Sequence, residues 1–282
     1  MINLLLCGNK KVFDGALTQL ISILNRTQEP INCYIFTMDK SDLREDFLSI
    51  EDEQVSFLNE VVQRKSPEST VQKIDVTNLY NQEFKGSKNE TAYCTPYTLL
   101  RLLVDLVPNM PEKLLYLDID MMINGDLNQL FSINVEDVEY AAVKEKYGCW
   151  LVCPNYINAG MLLINLKLAK ENHLFEKARE VIKTKKMLFA DQDALFWSTT
   201  SKKILPRIYN EQSKFHRKGT IVCHFCKRLL WFPYPHTENY KQWNIEEVHK
   251  VLKCYTFDSD LEEYVKLREE FEERNRKVEV RN

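Results

Sequence analysis

Lys113-Leu-Leu-Tyr-Leu-Asp-Ile-Asp120 is the stretch on which the reading of this chain turns. A short apolar run of this kind describes a strand rather than a helix, of the sort buried inside an α/β sheet. It ends in two carboxylates. Side chains alternate along a strand, so Asp118 and Asp120 point to one side while Ile119 faces the other. Ligands of α/β sheets bind beyond the carboxyl ends of the strands. Two acids at that edge therefore describe a hard-oxygen cation site. The plain alternative is a strand end that merely carries acids. The Leu-Leu-Tyr-Leu run weighs against it, because burying two carboxylates without a cation is costly.

Working outward, the flanking segments agree with an α/β fold. Ile2–Cys7 is an apolar strand that stops at Gly8-Asn9-Lys10, and Val12–Asn25 has apolar residues at helical spacing. Ile31–Met38 and Val71–Val76 read as strands, with an acidic helix over Ser41–Lys65 capped by Ser41 between them. Asn78–Ala92 is polar and irregular. A helix begins near Pro96 with Thr95 as its cap, and ends before Pro108. Downstream come a strand at Tyr140–Val143, an aromatic-rich loop at Tyr147–Tyr156 and an apolar strand at Asn158–Leu166. Helices follow at Leu168–Thr184 and Gln192–Thr199, the second capped by Asp191, then a strand at Thr220–His224. Two charged amphipathic helices fill Ile245–Arg276. The pattern predicts a mostly parallel sheet covered by helices on both faces. The division is one compact domain over 1–243 and a C-terminal helical extension over 244–282.

Composition removes several function classes. The 282 residues include only seven glycines, against about 20 at ordinary usage, and no two of them form G-x-G. The phosphate loop, the dinucleotide fingerprint and the nucleophile elbow are therefore absent. Thirty-eight basic and 41 acidic residues leave a net charge of −3, without the basic excess of a nucleic-acid binder. The pairs Cys149/Cys153 and Cys223/Cys226 raise the question of a four-thiolate zinc site, but their apolar and aromatic flanks favour buried free thiols. The sequence given shows no signal-peptide pattern and no transmembrane run, so a reduced, cytoplasmic protein is expected.

Without glycine loops, diphosphate charge needs another carrier. A divalent ion on Asp118 and Asp120 would supply it, with Mg²⁺ or Mn²⁺ suited to oxygen ligands and a histidine tilting the choice to Mn²⁺.

Four segments in order, Leu115-Tyr-Leu-Asp-Ile-Asp120, Asn158-Ala-Gly-Met-Leu-Leu-Ile-Asn-Leu166, Asp191-Gln-Asp193 and His224-Phe-Cys226, resemble glycosyltransferase family 8. That family contains the glycogenin-like enzymes and bacterial lipopolysaccharide galactosyl- and glucosyltransferases. The resemblance runs from Ile2 to about Trp231. It implies a GT-A fold, meaning a Rossmann-like, mostly parallel mixed sheet flanked by helices. It also implies a UDP-sugar donor, Mn²⁺ (or Mg²⁺), and transfer of a hexose with retention. By the match, Asp118, Asp120 and His224 are the metal ligands. The donor-binding residues are Gly8, Asn9, Arg101, Asp118, Ile119, Asn158, Ala159, Gly160, Asp191, Gln192 and Lys227. Asp191 and Gln192 are the catalytic candidates, with Gln192 near the anomeric carbon.

Taken alone, some of these residues have plainer roles. Arg101 would pair with Asp105 at i+4, and Asp191 would be a helix cap. Asn165 is expected to be structural.

Two departures from the family pattern stand out. The first strand usually ends in an acid, where this chain has Cys7-Gly8-Asn9-Lys10. The family usually continues H-F-C with a glycine and then Lys-Pro-Trp, where this chain has Lys227-Arg-Leu-Leu-Trp231. A catalytically weak or silent nucleotide-sugar-binding relative therefore stays open. So does a sugar nucleotidyltransferase, although the missing glycine loop counts against it. The expected acceptor is a glycan, lipid-linked or protein one, and aromatics in Tyr147–Tyr156 and Trp231–His236 suit either sugar stacking or packing on the core. No nucleic-acid partner and at most peripheral membrane contact are expected, with a homodimer left open.

Overall fold

Leu4, Leu5 and Leu6 are all fully buried, and they alternate between two apolar layers, one on each face of a sheet. The same alternation recurs at residues 114–117, where Leu115 and Leu117 enter one layer and Leu114 and Tyr116 the other. Strands of this kind need cover on both sides, and helices supply it.

The computed structural model describes residues 1–90, 95–215 and 217–279; Ala92 and Cys94 lie outside them. Its first half runs β1 (Ile2–Cys7), α1 (Phe13–Leu24), β2 (Ile31–Thr37), α2 (Asp52–Lys65), β3 (Thr70–Asp75) and α3 (Thr77–Phe84). A 3₁₀ helix over Pro96–Leu103 leads into β4 (Lys113–Leu117), β5 (Met121–Ile123), α4 (Asn128–Phe131), β6 (Tyr140–Lys144) and α5 (Gly148–Leu151). There follow β7 (Ile157–Asn165), α6 (Leu166–Glu171), α7 (Leu174–Thr184), α8 (Ala190–Ser198) and β8 (Lys202–Leu205). The chain then continues through β9 (Val222–His224), β10 (Arg228–Leu230), β11 (His236–Glu238), α9 (Ile245–Lys250) and α10 (Asp258–Glu279).

Seven strands form one sheet in the order β3-β2-β1-β4-β7-β6-β8. Pairs β3–β2, β2–β1, β1–β4 and β6–β8 are parallel, and β4–β7 and β7–β6 antiparallel. The chain winds outward from β1 to β3 and returns on the other side at β4. The β1/β4 junction is thus a topological switch point, where a crevice opens beyond the carboxyl ends. Asp118–Asp120 follow β4 directly. The strand direction then continues as β5, which pairs antiparallel with β9 in a separate two-stranded sheet.

Several boundaries differ from the sequence reading. The helix expected from Ser41 begins at Asp52, because Glu51 and Gln54 form a reciprocal capping box there. The Ser41 N–H instead closes a turn on Asp39 Oδ1. The segment expected as one helix over Leu168–Thr184 breaks at His173, whose φ of 56° cannot continue a helix. Part of the stretch read as irregular holds α3. Asn165 is structural, as expected: its side chain caps α6 by accepting from Leu168 N.

The helix α10 lies on α1 and α2. Tyr264 and Phe271 belong to the same core layer as β1, and the Phe271 ring stands 4.4 Å from Phe13 and 5.2 Å from Phe57. Ion pairs Arg26–Asp260, Arg64–Glu270 and Arg268–Asp14 flank that contact. Among the described residues no helix is long and apolar enough to cross a membrane.

Candidate active site

Two segments far apart in sequence deliver three ligating groups to one point. The end of β4 presents Asp118 and Asp120. Pairing of β5 with β9 sets His224 opposite Met121, next to Asp120, and Phe225 N donates to Asp120 O at 2.7 Å. His224 Nε2 lies 3.1 Å from Asp120 Oδ1 and 3.7 Å from Asp118 Oδ2. The three ligating atoms all fall within 4.8 Å of one another. Two carboxylates and one imidazole nitrogen at that spacing fit a divalent ion with hard to borderline preference. Among the described residues no cysteine joins such a group, and Cys149, Cys153, Cys223 and Cys226 are free thiols.

A kink in β7 brings a further wall. Its register against β6 jumps between Ala142 and Val143, which pair with Leu162 and Asn158 respectively. The extra residues bulge toward β4, where Asp118 N donates to Gly160 O at 2.7 Å. Gly160 has no room for a side chain. A Cβ there would stand 2.5 Å from His224 Cε1 and 2.6 Å from Asp118 Oδ2. Asn158 Oδ1 accepts from Gly160 N and from Asn210 Nδ2, and Asn210 in turn faces His224 Nδ1 at 3.1 Å.

Arg101 joins the metal-ligand group to the helix α8. Its guanidinium donates to Asp118 Oδ1 (2.9 Å), Ala159 O (2.6 Å) and Thr98 O (3.1 Å) and lies 3.2 Å from Asp191 Oδ2. It also stacks 4.0 Å above the Tyr116 ring, whose hydroxyl donates to the same Asp118 oxygen. Asp105, the plain partner for Arg101, is taken by Arg179. Asp191 lies inside the first turn of α8 rather than before it, so it is no cap. Its burial outweighs the attraction of Arg101 and raises its carboxyl to about 6, with Asp118 adding to the rise. Asp120 is held well below the usual carboxylate range: Lys241 and His224 more than offset its burial. Gln192 Oε1 accepts from Ala159 N at 3.0 Å, tying α8 to the bulge. Asp193 is occupied otherwise, bonded by the Tyr156 hydroxyl and by Phe189 N.

The remaining expected residues sit at the rim. Gly8 continues β1, donating to Phe36 O, and is pressed against Val12. Asn9 Oδ1 accepts from Lys11 N, closing a 3₁₀ turn. Ile119 turns its side chain away, toward Gly15, although β4 ends at Leu117 and residues 118–120, expected as strand, form the turn that follows it. Lys227 is on the exposed turn between β9 and β10. The first aromatic segment touches β10, with Tyr147 Oη donating to Leu229 O, and Trp150, Trp231, Phe232 and Tyr234 are exposed.

Sequence reasoning missed Tyr116, Asn210 and Lys241. Tyr116 was legible as the residue two before Asp118, on the same strand face. The other two carry no local signal.

This arrangement has counterparts. The model of glycosyl transferase family 8 matches residues 3–229. A lipopolysaccharide 1,2-glucosyltransferase of Escherichia coli is 32% identical over 129 residues, covering 39% of this chain and 38% of that protein. A lipopolysaccharide 1,3-galactosyltransferase of Salmonella typhimurium is 28% identical over 166 residues, covering 53% and 47%. The chain thus spans about half the length, or less, of these curated relatives. Among solved structures, the galactosyltransferase LgtC in complex with donor and acceptor sugar analogs superposes with a TM-score of 0.67 at 17% identity. That match covers 94% of this chain and 95% of LgtC. The fold is the GT-A fold. With the family model matched along most of its length, the chain belongs to glycosyl transferase family 8.

Proposed function

We propose that this chain is a metal-dependent, retaining glycosyltransferase that moves a hexose from a UDP-sugar to a glycan, lipid-linked or protein acceptor. The observation that carries the reading is the convergence of Asp118, Asp120 and His224 beside a glycine that leaves them room. These three residues would hold Mn²⁺ or Mg²⁺. When bound, the ion supplies positive charge for the leaving diphosphate.

The protein's own residues supply position. Arg101 fixes Asp118 and Asp191 relative to each other, and Gln192 is anchored to the bulge that carries Ala159 and Gly160. A new bond forms between an acceptor hydroxyl oxygen and the anomeric carbon as the bond to the diphosphate oxygen breaks. The electron pair leaves with the diphosphate, which also accepts the hydroxyl proton. Retention follows if both events occur on one face of the sugar. Asp193 is spoken for by Tyr156, and Asp191 by Arg101, which favours this front-face route over attack by a carboxylate.

The test is release of nucleoside diphosphate from a panel of nucleotide-sugars with Mn²⁺. Release from one donor, lost in Asp120→Ala, is expected. Tight donor binding without turnover across several acceptors would leave a silent relative instead. A glycosyl adduct trapped on Asp191 would end the front-face scheme.

A further inference from the structure

The hydroxyl of Tyr156 joins the two side chains that follow Asp191 on α8. It donates to Asp193 Oδ1 and accepts a hydrogen bond from the Gln192 side chain. The Tyr156 ring is fully buried and has little room to shift. A Cβ on Gly148 would strike it, and the Phe196 ring meets it edge-on at 5.1 Å. The backbone is held as well, since Tyr156 N donates to Cys153 O at 3.0 Å and Tyr156 O accepts from Glu145 N at 2.9 Å. Asp193 is fixed in turn by Phe189 N, which donates to its second oxygen at 2.9 Å.

Polarity runs one way along these contacts. The Ala159 N–H can only donate, so the Gln192 atom it meets at 3.0 Å is Oε1. The atom left for Tyr156 is then Nε2, which donates to the hydroxyl oxygen. A carboxylate only accepts, so the hydroxyl proton goes to Asp193. Ala159 and Tyr156 therefore grip opposite ends of one amide. Turning that amide over would set N–H against N–H at Ala159 and draw the hydroxyl proton away from Asp193. Unlike Ala159, Tyr156 and Asp193, Gln192 is only half-buried, so part of its side chain stays open to a ligand.

An amide oxygen stabilises positive charge that develops beside it, and an amide N–H does the opposite. Bond breaking at an anomeric carbon creates such charge. We propose that Tyr156 is a positioning residue for glycosyl transfer: its hydroxyl holds the Gln192 amide with the carbonyl oxygen on the Ala159 side, where the donor sugar would lie. This rests on the donor reading above. Tyr156 acts through Gln192 and touches no reacting group itself.

Tyr156→Phe keeps the ring and removes the grip. The readout is UDP release with Mn²⁺ from UDP-glucose, UDP-galactose and their N-acetyl forms, alongside calorimetric UDP binding. Both are measured in a double-mutant cycle with Gln192→Ala. With the donor that wild type uses, Tyr156→Phe is expected to lower kcat about tenfold while KM and UDP affinity stay within about twofold. In the Gln192→Ala background the same change should cost less than about twofold, because the group it orients is gone. A hydroxyl that only supports the fold would lower both backgrounds alike. Unchanged kcat in Tyr156→Phe, or an equal loss in the two backgrounds, overturns the assignment and leaves the donor reading intact. If Tyr156→Phe does not fold, Asp193→Asn takes its place in the cycle and the same outcomes decide. That variant leaves Phe189 N and the Tyr156 hydroxyl one oxygen to share, which loosens the hydroxyl. Wild type that releases UDP from none of the four donors overturns both readings.

Discussion

Asn210 Oδ1 stands 3.1 Å from His224 Nδ1, and this contact decides which imidazole nitrogen faces the carboxylates. The assignment starts from a backbone group that has only one polarity. Gly160 N–H can only donate, so the Asn158 atom it meets is Oδ1. That oxygen also accepts from Asn210, whose contacting atom is therefore Nδ2, which leaves Asn210 Oδ1 toward His224. Nδ1 must then carry a proton, which leaves Nε2 as the nitrogen that faces Asp118 and Asp120 and that would offer its lone pair to an ion there. Replacing Asn210 by alanine removes this orientation without touching a ligand. Mn²⁺ affinity should drop about 10- to 100-fold, the usual size for such a supporting residue, whereas His224→Ala should cost more. Calorimetric titration of both variants checks the order. Equal affinity in wild type and Asn210→Ala would remove the role.

Gly160→Ala is the smallest change that should disable the site. The added methyl would meet the His224 ring and the Asp118 carboxylate at 2.5 and 2.6 Å. Neither can retreat freely, since Asp118 is bonded to Arg101 and Tyr116 and His224 is held by Asn210. Overpacking of this kind typically costs 1–3 kcal/mol, about enough to lower the melting temperature by several degrees. Mn²⁺ binding should fall with it. A variant that melts and binds Mn²⁺ like wild type would mean that the bulge moves at little cost.

Asp191 should trade stability for function. Its folded-state carboxyl is raised from the ordinary value of 3.8 to about 6, chiefly by burial. A raised acid favours the fold in its protonated form. The full benefit is present below pH 3.8, shrinks as pH rises through 6, and becomes a cost at neutral pH. A shift of this size is worth on the order of 3 kcal/mol. Asp191→Asn in metal-free buffer should therefore melt higher than wild type at pH 7.5, with the difference closing near pH 4, and glycosyl transfer should fall sharply. A variant less stable than wild type at pH 7.5 would mean that the ion pair with Arg101 outweighs burial.

The part of this site legible in sequence is the part built by local alternation. Asp118 and Asp120 meeting at one site, with Ile119 turned away, was expected from strand period, and the structure keeps that arrangement in the turn just after β4 ends at Leu117; the small residues Asn158–Gly160 announce a close approach. Arg101 read alone pointed to Asp105. Only the fold shows that Arg179, from α7, takes Asp105 and frees Arg101 for Asp118. Asn210 and Lys241 act across chain separations that no spacing rule spans, through loops whose course depends on packing around them. The same holds at Ser41, a good cap by type, which lost the helix start to the reciprocal Glu51–Gln54 pair.

Two C-terminal helices were read as an extension over 244–282, and the packing of α10 bears on whether the domain stands without it. The rings of Phe271, Phe13 and Phe57 meet in one cluster, and Tyr264 Oη donates to Asp14. Phe13 opens α1, the helix that also holds Gly15 against Ile119 of the D-x-D turn. Loss of the helix would expose Phe13 and Phe57 to water and leave Asp14 without its Tyr264 and Arg268 partners. A buried Phe→Ala change typically costs 3–5 kcal/mol. We therefore expect Phe271→Ala to lower stability by about that amount while Mn²⁺ affinity, measured well below the melting temperature, stays near wild type. A chain cut after residue 243 should unfold or aggregate, although it retains every ligating and donor-site residue named above. If the cut chain instead stays monomeric and melts cooperatively near the full chain's temperature, α10 is a separable extension and residues 1–243 fold on their own.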